Sequence, residues 1–155
     1  MLIDGCWITN WSNHACFYTS GRSLSVENCT IVSNSFTYTV RGYSGDRTAD
    51  FVNTVFCGNR RGSEEVDFRG YESPNTNFVN SIVGLVRPRF VGTEPHPYSP
   101  QRRSPLVGRG AVADWMRDAS DLAGNPMLKS DDATTVDVGC YQCGLAAPGE
   151  LLFIR

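Results

Sequence analysis

Two stretches of the sequence decide the fold: VRGYSGDRTADFVNTVFCGN at residues 40–59 and FRGYESPNTNFVNSIVG at residues 68–84. With one residue inserted in the first copy, seven positions are identical, and both copies contain the tripeptide Arg-Gly-Tyr. Chance rarely gives so many identities over such short segments. The chain therefore contains an internal repeat, and a repeat with a period of 20–50 residues is typical of stacked architectures.

Weaker copies of the same unit lie upstream. The four copies are IDGCWITN from Ile3, VENCTIVSN from Val26, FVNTVFCGN from Phe51 and FVNSIVG from Phe78, with starts 23, 25 and 27 residues apart. Apolar and small residues alternate within each copy, as in a strand with one buried face. Strands at this period, without helical spacing between them, fit a solenoid of about four β-coils with one turn per repeat over residues 1–90.

Stacked repeats turn aligned positions into ladders. Three columns are expected in the interior: Asn28, Asn53 and Asn80 with Gly5; Cys6, Cys29, Thr54 and Ser81; and Ile8, Ile31, Phe56 and Val83. A stack of asparagine amides can form hydrogen bonds from one repeat to the next.

The C-terminal third has a different character. The repeat stops near Val91, and proline becomes frequent. A solenoid needs a terminal element over its last open edge. Residues 91–147 are therefore expected to form an irregular cap, followed by a loosely attached tail at 148–155.

Composition excludes several classes of protein. The chain has 155 residues, is 41% hydrophobic and carries a formal charge of −2, which disfavours binding of nucleic acid through bulk positive charge. The longest run of large apolar residues is Leu151–Ile154, too short to span a bilayer. No secretory signal peptide follows Met1, and six cysteines leave the redox compartment open.

Three motifs carry a resemblance to a known family. SPLVGRG at 104–110, DLAGNP at 121–126 and VDVGCYQ at 136–142 resemble the C-terminal motifs of bacterial right-handed parallel β-helix proteins, the pectin-lyase-like proteins often described as choice-of-anchor Q domain proteins. The resemblance implies an all-β, right-handed parallel β-helix in a secreted or cell-surface bacterial protein. Gly108 stands where the family commonly has aspartate.

Family members carry a signal peptide and many more coils. The chain is therefore expected to be the C-terminal portion of a longer exported protein. Upstream coils, or self-association at the N-terminal edge, would then cover the first open strands.

The repeated Arg-Gly-Tyr supplies the candidate binding residues. Stacking in register would place Arg41 over Arg69 and Tyr43 over Tyr71. Two guanidinium groups beside two aromatic faces suit an acidic sugar chain, because arginine binds a uronate carboxylate through two hydrogen bonds and tyrosine packs on a pyranose face. The alternative is structural: the residues repeat because the backbone does, and the arginines pair with nearby carboxylates, namely Asp46, Asp50, Asp67 and Glu72.

Acidic residues and cysteines give weaker signals. Polysaccharide lyases of the resembled family often use Ca²⁺ held by carboxylates, and Glu64, Glu65 and Asp67 are hard oxygen donors of that kind. Their spacing specifies no site, however, and a solvated turn explains them equally. Cys140-x-x-Cys143 lacks the second ligand pair that a zinc site needs. No metal site and no resident cofactor are predicted, with Ca²⁺ implied only if the protein is a lyase.

The sequence thus favours a carbohydrate-interacting surface or secreted protein that is non-catalytic as this chain. Two alternatives stay open. One is a polysaccharide lyase or glycoside hydrolase acting on acidic glycans, and the other is a structural stalk or adhesin.

Overall fold

A computed structural model describes residues 2–9, 12–19, 23–42, 48–71, 75–85 and 87–144 of the chain. Its strands are β1 (Leu2–Asp4), β2 (Trp7–Thr9), β3 (Ser12–Thr19), β4 (Leu24–Glu27), β5 (Thr30–Val32), β6 (Ser35–Gly42), β7 (Thr48–Val52), β8 (Val55–Cys57), β9 (Arg60–Arg61), β10 (Glu64–Glu65), β11 (Gly70–Tyr71), β12 (Asn75–Val79), β13 (Ile82–Val83), β14 (Gly110–Ala111) and β15 (Thr135–Val136). A short 3-10 helix covers Asp114–Asp118. The described part of the chain is otherwise all-β, as the sequence predicts.

Three sheets are built from parallel neighbours. The first sheet has the order β1-β4-β7-β12, the second β2-β5-β8-β13, and in the third β6 lies between β3 on one side and β9 and β11 on the other. The hairpin of β9 and β10 is antiparallel. The chain runs through the first, the second and the third sheet in that order and then returns to the first sheet. We call each such passage a rung.

Apolar side chains between the sheets form the core. Val26 pairs in register with Phe51, and Phe51 with Phe78. Ile8, Ile31, Phe56 and Val83 occupy one column of the second sheet, as the sequence predicts. Phe51 and Phe56 are fully buried and meet edge to face, with ring centroids 5.1 Å apart. Such aromatic pairs contribute about 0.5–1.5 kcal/mol beyond the area that they bury.

The predicted asparagine column lies at the corner between the first and second sheets. Asn28, Asn53 and Asn80 all have positive φ, a left-handed conformation that asparagine tolerates better than most residues, and Gly5 takes the same place in the first rung. The Asn53 amide donates to Asn28 Oδ1 at 3.0 Å. The expected hydrogen bond between stacked amides is therefore confirmed for these two residues.

The adjacent column of small residues is also a hydrogen-bonded ladder. Backbone N–H groups donate to the side chain one rung further on, from Cys6 to Cys29 Sγ at 3.4 Å, from Cys29 to Thr54 Oγ1 at 3.4 Å and from Thr54 to Ser81 Oγ at 3.0 Å. The side chains of Cys29, Thr54 and Ser81 therefore each accept a hydrogen bond from a corner amide of the preceding rung.

The C-terminal region packs along the side of the sheets, whereas the sequence predicts a cap over their last edge. Leu106 and Val138 cover the outer face of the second sheet at Val32, Val55 and Cys57. Those three residues face away from the core between the sheets, and the C-terminal side chains supply the apolar layer that buries them.

Close backbone approach fixes this packing at the corner. Gly139 donates its N–H to Asn53 O at 2.8 Å. A Cβ at Gly139 would lie 2.6 Å from Thr30 Oγ1, so only glycine fits there.

Two buried aspartates join the three C-terminal motifs. Asp137 accepts from Gly108 N at 2.8 Å and from Lys129 Nζ at 3.0 Å. Asp121 accepts from Asn125 N at 2.7 Å and from Gln142 N at 2.7 Å. The motifs are therefore held together by carboxylates that accept backbone N–H groups. Gly108, at the place of the resembled family's aspartate, contributes its own N–H.

In the described ranges, no helix is both long enough and apolar enough to cross a lipid bilayer.

Candidate functional site

Arg41 lies in the third sheet next to an exposed tyrosine. Tyr18 of β3 is opposite Arg41 of β6 in the parallel pairing of these eight-residue strands. The Arg41 Cζ is 5.8 Å from the Tyr18 ring centroid, which is cation–π distance. Tyr18 is 50% exposed and Arg41 is half-buried, so solvent reaches the tyrosine beside the guanidinium.

Tyr71 lies opposite Arg41 on the other side of β6. The predicted register, with Arg41 over Arg69 and Tyr43 over Tyr71, is therefore wrong by two residues. The physical reason is an insertion: the hairpin of β9 and β10 lies between β8 and β11, whereas β6 follows β5 directly. The chain therefore uses more residues before it reaches β11 than the sequence alignment implies. The side chain of Tyr71 and the whole of Tyr43 lie outside the described residues.

Arg69 forms a separate pair with a different tyrosine. Its Cζ is 5.5 Å from the Tyr38 ring centroid. Its backbone is anchored at Thr39, because Arg69 N donates to Thr39 Oγ1 at 2.8 Å and Thr39 N donates to Arg69 O at 2.7 Å. Arg69 therefore contacts a tyrosine three positions before Arg41 on β6, and the two arginines do not share a tyrosine.

Stacking leaves arginine suited to a carboxylate. A guanidinium presents its face to an aromatic ring and its N–H groups at its edge, where a carboxylate can accept two parallel hydrogen bonds. The cation–π contact between a guanidinium and an aromatic ring contributes about 0.5–1 kcal/mol at an exposed site. The Arg41–Tyr18 pair thus combines a charged edge with an exposed ring on one sheet.

Sequence reasoning missed Tyr18 and Tyr38, the two tyrosines in contact with the arginines. A signal for Tyr18 existed, since it precedes Arg41 by 23 residues, the spacing between the first two repeats. Tyr38 has no such signal, because Arg69 approaches it only through the displaced register of β11.

The carboxylates predicted as arginine partners or calcium ligands have other roles where the structure describes them. Asp50 accepts from Asn77 Nδ2 at 2.7 Å, and Asp67 accepts from Asn59 N at 2.9 Å. Glu65 forms an exposed ion pair with Arg60 at 3.8 Å. Asp46 and Glu72 lie outside the described residues. Over the ranges that the structure describes, no group of three or more histidine, cysteine or acidic residues is placed to hold a metal ion.

Burial changes the ionisation of Asp67. Removal from water raises the pKa of its carboxyl group above the ordinary value, while the hydrogen bonds from Asn59 oppose the shift and the negative charge of Glu65 adds to it.

The cysteines are thiols. Burial raises the pKa values of Cys57 and Cys140 to about 12 each, so neither is a thiolate at neutral pH. Burial also raises the pKa of Cys143. Since a thiolate is the form that attacks electrophiles and binds metals, these residues serve as buried small side chains.

A depression lies where the C-terminal region meets the corner of the first two sheets. It has a volume of about 240 Å³, and Trp115, Leu122 and Asn28 are among its lining residues. Trp115 is 45% exposed. An exposed indole can also stack on a sugar ring, so this depression is a comparison site in the experiments below.

No protein-family model, curated protein or solved structure matches the chain.

Proposed function

We propose that the chain is part of a secreted or cell-surface right-handed parallel β-helix protein, and that its third sheet binds acidic polysaccharide through Arg41 and Tyr18. The observation that carries the binding proposal is the stacking of the Arg41 guanidinium, 5.8 Å from the ring centroid, on an exposed tyrosine of the neighbouring strand.

The order of the strands supports the β-helix. The chain passes repeatedly through the first, second and third sheets, and each sheet is parallel between successive rungs. Connections between parallel strands of one sheet are right-handed in about 98% of cases, so the right-handed sense is the expected one. The resemblance of the three C-terminal motifs points to the same fold and to an exported protein.

The chemistry of the third sheet favours an acidic glycan over a neutral one. A uronate carboxylate would accept two hydrogen bonds from the edge of Arg41, and the adjacent sugar ring would pack on Tyr18. A strand surface is extended, like a polysaccharide chain. The overall charge of −2 makes specific pairing at Arg41 more important than general attraction.

Affinity electrophoresis of the 155-residue protein tests the binding. Gels containing a polyuronate should retard the wild type more than gels containing a neutral polysaccharide. Arg41→Ala should abolish the retardation. Arg109→Ala is the matched control, since Arg109 is an exposed arginine of the C-terminal region and its loss changes the net charge equally.

Two results would overturn the binding proposal. One is the absence of retardation in any polyuronate, which favours a structural stalk. The other is retardation that Arg41→Ala leaves unchanged. Release of unsaturated uronates would instead assign the chain to the polysaccharide lyases in place of non-catalytic binding.

A further inference from the structure

The last rung of the first two sheets ends in exposed core residues. Phe78 and Val83 are 42% and 43% exposed, although they occupy the columns in which Phe51 and Phe56 are fully buried. Phe78 stacks on Phe51, with ring centroids 5.5 Å apart, so one ring face lies in the core and the other points away from it.

The edge also presents backbone groups in a repeated arrangement. Between the third and the last rung, Asn53 N donates to Val79 O at 3.0 Å, and Ile82 N donates to Thr54 O at 2.9 Å. The groups at the equivalent positions of the last rung are Asn80 N–H and Ser81 C=O. They lie on the side of β12 and β13 that faces away from the preceding rung.

This edge has no charged residue. Residues 75–85 read NTNFVNSIVGL, without lysine, arginine, aspartate, glutamate or proline. Proteins that keep an edge strand unpaired usually place charges, proline or a bulge on it, because an unprotected edge pairs with other chains. The composition of this edge is that of a strand that is paired.

We propose that this open edge, made of β12 and β13, binds a second copy of the chain through the partner's β1 and β2. The contact is head to tail and repeats the packing already present between rungs. It rests on the strand edges alone and not on carbohydrate binding.

The first rung carries the complementary pattern. In each of the four repeats a large apolar residue stands two positions before the left-handed corner residue, and in the first rung it is Ile3, before Gly5. By the spacing of the internal ladder, Asn80 N would donate to the partner's Asp4 O, and the partner's Trp7 N would donate to Ser81 O. Ile8 of the partner would lie opposite Val83, continuing its column.

Residues 145–155 match the pattern of the repeats less well. Gly149 is the only glycine or asparagine in residues 145–155, and Ala147 stands two positions before it, where all four repeats have a large apolar residue. A second copy is therefore the better occupant. A head-to-tail contact does not close on itself, so it produces a series of oligomers whose size increases with concentration.

Sedimentation velocity of the 155-residue protein tests the proposal. The wild type should sediment faster as its concentration rises, and Val83→Lys should abolish every species heavier than the monomer. Phe78→Lys is a second variant at the same edge, and circular dichroism checks that each variant folds. Leu122→Lys adds the same charge at an exposed apolar residue elsewhere and should associate like the wild type.

A mixing experiment tests whether the contact between copies is head to tail. Ile8→Glu blocks the edge formed by β1 and β2, whereas Val83→Lys blocks the edge formed by β12 and β13. Each variant should therefore be monomeric alone. When the two are mixed, each supplies the edge that the other lacks, so they should form one-to-one dimers. A monomeric wild type at all concentrations overturns the proposal. Dimers of Ile8→Glu alone overturn the head-to-tail arrangement in favour of a twofold contact. Association that begins only after deletion of residues 145–155 overturns it in favour of those residues as the occupant of the edge.

Discussion

The side chain of Asn53 links the stacked strands to the C-terminal region through Asn28 on one side and Ala111 on the other. Its amide donates to Asn28 Oδ1 at 3.0 Å and to Ala111 O at 2.9 Å, and its Oδ1 accepts from Ala111 N at 2.8 Å. One fully buried side chain thus satisfies groups from two parts of the molecule.

Asn53→Gly should lower the free energy of unfolding by about 1–3 kcal/mol, because it leaves buried hydrogen-bonding groups without partners while it keeps the left-handed backbone possible. Asn80→Gly is the matched control, since Asn80 has the same left-handed backbone but is exposed. Urea denaturation measures both variants. Equal effects of the two substitutions would contradict the linking role of Asn53.

Asp137 should be a main determinant of stability in the C-terminal region. It is fully buried and accepts from Gly108 N at 2.8 Å, Cys143 N at 2.6 Å and Lys129 Nζ at 3.0 Å. Removing one member of a buried ion pair costs about 3–5 kcal/mol, and the partial exposure of Lys129 places Asp137→Ala near the lower end. Asp131→Ala, on an exposed turn, should leave the thermal midpoint unchanged. A similar midpoint for both variants would show that Asp137 has no such role.

Asp67 should make the fold less stable as the pH rises from acid to neutral. The pKa of its carboxyl group in the folded protein is raised above the ordinary 3.8, mainly by burial, so folding favours the protonated form. Its favourable contribution is complete below pH 3.8 and is lost as the pH rises through the folded-state pKa. Asp67→Asn keeps an oxygen for the Asn59 N–H and does not ionise.

Urea denaturation of wild type and Asp67→Asn across this pH range provides the measurement. The stability of the variant relative to the wild type should increase with pH. A constant difference, or one that falls with pH, would contradict the raised pKa.

Cys57 and Cys140 should resist alkylation in the folded protein. Their pKa values of about 12 leave almost no thiolate at pH 8, and both side chains are buried. Iodoacetamide labelling followed by peptide mapping should find these two cysteines unmodified in the native protein and modified after denaturation in guanidinium. Native-state labelling at the rate of a free cysteine would contradict their burial.

Many contacts between the stacked strands are predictable from sequence, because the same residue types recur at corner and core positions. The column of Ile8, Ile31, Phe56 and Val83 and the contact of Asn53 with Asn28 follow from aligning the repeats. These positions are restricted by buried volume and by a left-handed backbone, which leave a strong pattern in the sequence.

The candidate site is less predictable, because it depends on the length of connections that carry no pattern. The repeated Arg-Gly-Tyr suggests that Arg41 stacks over Arg69, whereas the hairpin of β9 and β10 precedes β11 and Tyr71 lies opposite Arg41. The position of the C-terminal region is also hidden from sequence, since the outer face of the second sheet becomes apolar only when Val32 is placed beside Cys57.

Amide hydrogen exchange in the presence and absence of a defined oligouronate tests the proposed binding surface most directly. We expect protection to increase in residues 15–19 and 38–42, around Tyr18 and Arg41, and to be absent in Arg41→Ala. Protection concentrated around Trp115 and Leu122, or no change anywhere at a saturating concentration of the sugar, would contradict binding at the third sheet.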